Sequence, residues 1–292
     1  MCRDCDDSTG RSARDITIKN LETGVDVVLS GIGTYEGKGK LNARGPAVGA
    51  AHVDDLAVVW RVCDPEEADS ITAACRTESF ATLARSVVVA PVLFRGELCT
   101  RALVRRRLIE RGHRPAGPSA CIVTALIPGF TLASPRRHMG KVTIGLIDYE
   151  HTRAPGFDNP GMIKGVPELE AAYEGSPGDH SLYRGLRALR HANHTPGPAR
   201  ALVDVLLGTE LGESRDFLPP GHAQKMPTPH AVRHAIHIYS GGNEPSDRFS
   251  RDALLIADCA DALNAANFTH LDAHTGNLIA VPVETLNLSC LE

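Results

Sequence analysis

Aromatic residues are scarce: one Trp, five Tyr and seven Phe, 4% of 292 residues. A surface that grips single-stranded nucleic acid stacks bases on aromatic rings, so the scarcity argues against one. Charge of one sign is lacking too. The chain has 31 Lys and Arg against 35 Asp and Glu, a formal net charge of −4, which argues against a generally cationic phosphate-binding protein. No apolar run approaches the ~20 residues that span a bilayer. The polar opening MCRDCDDSTGR has no apolar core of a signal peptide. Eight cysteines are present, yet only Cys2 and Cys5 have metal-like spacing and no second pair completes a zinc site. The expectation is a soluble, cytoplasmic protein with reduced thiols and neither membrane nor nucleic-acid partners.

Along the chain, residues 1–14 read as a polar tail and 15–132 as a strand-rich region. Asp15 to Ile18 and Val25 to Leu29 flank the turn Glu22-Thr23-Gly24 as a hairpin. Leu56 to Val62 predicts a buried strand, Pro65 to Arg85 a helix, Ser86 to Phe94 a strand, and Arg101 to Arg111 a basic helix stopped by Gly112. Residues 133–292 read as mainly helical, with a large insertion dense in Gly, Pro and His and no internal repeat. Tyr183 to Ala192, Ala199 to Leu207 and Arg248 to Ala266 predict helices, the last ended by Asn267.

Histidine is unevenly placed: nine of the thirteen lie between His180 and His274. His230, His234 and His237 share one face of a helix, a spacing at which imidazoles hold a metal ion. A histidine-ligated metal hydrolase using Zn²⁺ on His230, His234, His270 or His274 is therefore one reading.

The densest group of chemically active side chains is His270-Leu271-Asp272-Ala273-His274-Thr275-Gly276-Asn277. Phosphoryl transfer needs a carboxylate beside the attacking hydroxyl and oxygen ligands for the metal on the phosphates. Asp272 and Asn277 supply one of each. The run HxDxHxGN followed by Leu278-Ile279 resembles the catalytic loop of the protein-kinase-like superfamily, closest to its aminoglycoside and choline phosphotransferase branch. That resemblance implies an α+β, two-lobed kinase-like fold, with the Gly/Pro/His-rich insertion in the C-lobe. It also implies ATP, Mg²⁺ and a hydroxyl acceptor on a small molecule or protein. Asp272 would orient the nucleophile between His270 and His274, and Asn277 would hold metal. Gly31, Gly33 and Gly37, in a run similar to the family's glycine loop, would cover the phosphates, and Arg61 with Glu78 would stand for its ion pair.

Three departures accompany the likeness. Arg61 stands where the family has Lys, and a planar guanidinium does not replace an ammonium at equal geometry. Cys290 stands where a second metal-binding Asp belongs. Gly145-Leu146-Ile147-Asp148-Tyr149-Glu150 resembles the family's metal-binding strand, but it precedes the loop rather than following it. A non-enzymatic pseudokinase or structural interaction protein is the remaining reading.

Overall fold

Short alternating strands joined by tight turns build the first part of the chain. The computed structural model describes residues 15–34, 48–63, 65–98, 119–136, 140–149, 152–158, 176–191, 198–207 and 227–286. Two compact units emerge, one drawn from Met1–Cys75 and Ala90–Leu126, the other from Arg76–Val89 and Ile127–Glu292. The basic segment 101–111 lies outside the described residues.

In the first unit β1 (Ile16–Asn20) and β2 (Asp26–Thr34) form an antiparallel hairpin. Its turn is set by Asn20, whose Oδ1 accepts from the Glu22 and Thr23 amides at 2.9 and 3.3 Å. Gly24 then takes the left-handed φ of +71°. β3 (Val48–Val53) and β4 (Leu56–Cys63) extend the sheet, followed by α1 (Pro65–Ala74). β5 (Val88–Val89) belongs to the second unit, while β6 (Val92–Leu98) and β7 (Ser119–Ala125) return to the first. The order β1-β2-β3-β4-β7-β6 closes on itself, because β1 also pairs with β6 through Ile18↔Leu98 and Lys19↔Glu97. Closure needs Gly96: a Cβ there would stand 2.1 Å from Ile18 Cγ2. Ile16, Ile18, Leu29, Trp60, Cys121 and Val123 fill the interior.

A closed six-stranded antiparallel barrel with accompanying helices corrects the two-lobed, kinase-like α+β fold implied by the loop. The physical reason is the two-sided pairing of β1, which abolishes the sheet edges. The helix expected over Pro65 to Arg85 is also divided. Thr77 caps a separate α2 (Glu78–Leu83), its hydroxyl accepting from the Phe80 amide at 3.1 Å.

The second unit combines two small sheets with helices. β5, β8 (Phe130–Thr131), β9 (Val142–Leu146) and β13 (Leu278–Pro282) stand in the order β5-β9-β13-β8. β10 (Thr152–Ala154), β11 (Phe157–Asp158) and β12 (Thr269–His270) form the order β11-β10-β12. The helices are α3 (Pro177–His191), α4 (Pro198–Leu207), α5 (Pro229–Tyr239), α6 (Arg248–Ala266) and the short α7 (Val283–Leu286). α6 starts at Asp247, whose carboxylate accepts from the Ser250 amide at 2.9 Å, and ends at Asn267 in the left-handed region at φ 48°. Ala253, Ile256, Ala257, Ala260 and Leu263 on it are buried. α3 approaches α6 closely through two glycines: a Cβ on Gly178 would meet Ala260 O at 2.0 Å, and one on Gly185 would meet Ile256 Cγ2 at 2.7 Å. No helix among the described residues is long and apolar enough to cross a membrane.

Candidate active site

The loop at 270–277 is held by its own short contacts. The His274 amide donates to Asp272 O and the Asn277 amide to His274 O, both at 2.8 Å. His274 Nδ1 accepts from the Gly276 amide at 2.9 Å. A Cβ at position 276 would lie 2.7 Å from His274 Cε1, so any other residue there displaces the His274 ring. The αL turn at Asn267 delivers the chain from α6 into β12, and β13 carries it away.

His270 is fully buried. Its Nδ1 accepts from the Asp272 amide at 3.2 Å, and its Nε2 lies 3.1 Å from Ile147 O. A ring that accepts at Nδ1 and faces a carbonyl at Nε2 is the neutral Nε2–H tautomer. Both nitrogens are thereby used in holding the loop. His274, with its Nδ1 likewise accepting, carries its proton on Nε2, 3.7 Å from Asp272 Oδ2. His230 and His234 lie on α5 with their rings stacked, centroids 6.2 Å apart. Among the described residues no group of three or more His, Cys, Asp or Glu is placed to hold a metal ion.

Asp272 is bonded at both carboxylate oxygens. Arg184 Nη2 on α3 donates to Oδ1 at 2.5 Å, and Asn277 Nδ2 donates to Oδ2 at 3.1 Å and to the Asp272 carbonyl at 3.0 Å. These two acceptors fix the Asn277 amide's orientation, because the flipped rotamer would turn its oxygen onto two oxygens. Asn277 Oδ1 is then left buried with no hydrogen-bond partner among the described residues. A buried acceptor without a donor costs about 1–3 kcal/mol, and such an atom calls for a cation, a ligand donor or an ordered water.

The segment that resembles the family's metal-binding strand runs alongside the exit of the loop. β9 and β13 pair antiparallel in the register Leu146↔Leu278 and Gly145↔Ile279, and the Ile147 amide donates to Asn277 O at 3.0 Å. Asp148 is the next residue, in the left-handed region at φ 70°, a conformation few non-glycine residues adopt. Tyr149 behind it is buried, edge-on to Phe80 with centroids at 5.1 Å and to His270 at 6.1 Å, and its hydroxyl donates to Leu146 O. Thr152 Oγ1 donates to Tyr149 O at 3.0 Å, and Thr152 pairs with His270 across β10 and β12. Ile147 and Thr152 thus strap the loop, the Ile147 contact reaching across 123 positions of the chain.

No family model matches the chain, and no curated protein or solved structure does either.

The other expected residues stand on these elements. Gly31, at φ +63°, and Gly33 belong to β2, at a register irregularity of the β2–β3 pairing; Gly37 lies outside the described residues. Arg61 on β4 forms an ion pair with Glu67 of α1, and Glu78 opens α2 in the second unit. Cys290 lies outside the described residues. Arg184 was not visible as a site residue in sequence. Its only signal is an amphipathic α3 whose apolar stripe is interrupted by polar His180, Ser181 and Arg184.

Proposed function

We propose that the 270–277 loop transfers the γ-phosphoryl group of ATP to a hydroxyl, with Mg²⁺. The observation that carries this reading is the orphaned Oδ1 of Asn277, buried beside a carboxylate whose geometry is already fixed. Mg²⁺ takes hard oxygen ligands, commonly one or two from protein and the rest from phosphates and water. Asn277 Oδ1 would be one such donor, and Asp148, which follows the Ile147 amide bonded to Asn277 O, is the carboxylate we assign as a second; bound there, the ion would neutralise charge on the phosphate oxygens.

Asp272 receives the acceptor's proton at a carboxylate held by Arg184 and Asn277, which fixes its direction before any substrate arrives. His270 keeps the loop in register with the Asp148 strap through the Ile147 carbonyl. His274 offers its Nε2–H on the side of Oδ2. The acceptor class is a small-molecule or protein hydroxyl.

The test is thermal-shift and calorimetric titration of the full chain with Mg-ATP, with Asp272→Asn, Asn277→Ala and Asp148→Asn alongside. Release and transfer of γ-labelled phosphate are followed in parallel. Wild type is expected to be stabilised by Mg-ATP. Asn277→Ala and Asp148→Asn are expected to weaken the magnesium dependence, and Asp272→Asn to keep binding while losing turnover about 10²–10⁴-fold. Absence of any nucleotide-dependent stabilisation would sink the proposal; a large effect of chelator alone would favour a metal hydrolase.

A further inference from the structure

Resting on that reading, we infer that Arg184 is the positioning residue for Asp272, and that it selects Oδ2 as the oxygen that takes the acceptor's proton. Two contacts bring α3 to the loop. Ser181 Oγ donates to His270 O at 2.7 Å, which pins the register of the helix against the start of the loop. Gly185, with no side chain, admits Ile256 at its Cα and brings the Ala273 carbonyl to 3.4 Å from where a Cβ would sit. Arg184, three residues beyond Ser181 and so on the same helical face, is thereby aimed at the carboxylate.

The two oxygens of Asp272 are not equivalent. Oδ1 carries a charge-assisted bond from Arg184 at 2.5 Å. Oδ2 carries only a neutral amide bond from Asn277 at 3.1 Å, and its other neighbour, His274 Nε2, stands at 3.7 Å, outside hydrogen-bond range. An ionised carboxylate offers about four lone-pair sites. The oxygen less engaged by strong donors retains the capacity and basicity to accept a proton, and that oxygen is Oδ2. In the transfer step the acceptor's O–H bond breaks and its proton goes to Oδ2. The acceptor oxygen bonds to the γ-phosphorus, and the bond from that phosphorus to the bridging oxygen breaks, its electron pair leaving with ADP.

Arg184 touches no reacting atom, so its removal is expected to act on turnover rather than on nucleotide affinity. The experiment uses the full chain with Mg-ATP, water serving as the acceptor, and compares wild type, Arg184→Met, Arg184→Lys and Asp272→Asn. The double variant Arg184→Met with Asp272→Asn completes the set. Arg184→Met is expected to lower kcat at least tenfold while KM and the calorimetric Kd for Mg-ATP stay within twofold. Arg184→Lys, which keeps a charge without the planar fork, is expected to recover part of that loss. In the Asp272→Asn background the Met substitution is expected to add nothing, since residues acting as one unit are not additive. Equal kcat for Arg184→Met and wild type, or full additivity in the double variant, would overturn the inference and leave the phosphotransfer reading standing. A wild type that neither binds Mg-ATP nor turns it over would overturn both. If Arg184→Met fails to fold, Arg184→Lys alone decides: a kcat equal to wild type refutes the need for the fork, and a reduced kcat with unchanged KM supports it.

Discussion

Acid is expected to destabilise the helical unit through one imidazole, His180. It lies on α3, 2% exposed, with its Nδ1 buried and lacking a hydrogen-bond partner. Burial, and after it the charges of Arg184 and His270, push its pKa down from 6.5 to about 4. The unfolded chain therefore binds this proton more readily than the native one over that window. Stability rises with pH wherever the unfolded state holds more protons. The contribution is thus complete above about pH 6.5 and is lost as pH falls toward about 4. Each tenfold in proton affinity is worth about 1.4 kcal/mol, so the whole loss is about 3 kcal/mol. Titrating both states gives about 2 kcal/mol of it between about pH 7.5 and pH 5.

The assay is urea unfolding followed at 222 nm at a series of pH values, in wild type and in His180→Leu. Leucine is neutral throughout and removes the orphaned nitrogen, so its cost at neutral pH is small. With a denaturant slope of about 2 kcal/mol per molar, wild type is expected to lose about 1 M in urea midpoint over this range more than the variant does. Subtracting the two profiles cancels the other titrating groups. Parallel pH profiles in the two proteins would refute the reasoning, because a solvated or hydrogen-bonded imidazole would leave no such difference.

Two further outcomes test the packing. Gly178→Ala places a methyl group 2.0 Å from the Ala260 carbonyl oxygen, so α3 must move off α6; a loss of about 1–3 kcal/mol is expected in thermal melts, and an unchanged melting temperature would contradict that contact. Burial pushes the Cys75 thiol up to about 11 and the Cys259 thiol up to about 12. Peptide mapping after iodoacetamide at about pH 8 is therefore expected to show both unmodified in the native chain and labelled in denaturant; rapid native labelling of Cys259 would place it at the surface.

What the sequence reveals about this molecule follows the range of each interaction. The β1–β2 turn, the strand at Leu56 to Val62, and α6 with its stop at Asn267 all rest on neighbours within a few residues, and each is legible as pattern. Barrel closure is not. Ile18 and Leu98 are 80 positions apart, and an alternating strand states which face is buried without stating its partner. The break between α1 and α2 escaped for a different reason: it is local, but Thr77 interrupts an otherwise continuous helical pattern through one side-chain bond. A loop motif of eight residues says little about architecture, and here it sits outside the fold its resemblance implies.

The segment from β9 to Asp148 shows the same limit beside the loop. It precedes the loop in sequence, where the resemblance places such a strand after it. Hydrogen bonding does not respect that order: an antiparallel partner can come from either side of the loop, provided the register matches. Leu146↔Leu278 supplies the register, and the Ile147 amide on Asn277 O continues it by one more bond to the threshold of Asp148. Arg184 arrives from a third segment by the docking of a helix rather than by pairing of a strand. The loop's own residues were legible because they are contiguous. The groups that give them direction were not, because β9 and α3 reach them only through contacts more than 80 residues apart in the chain.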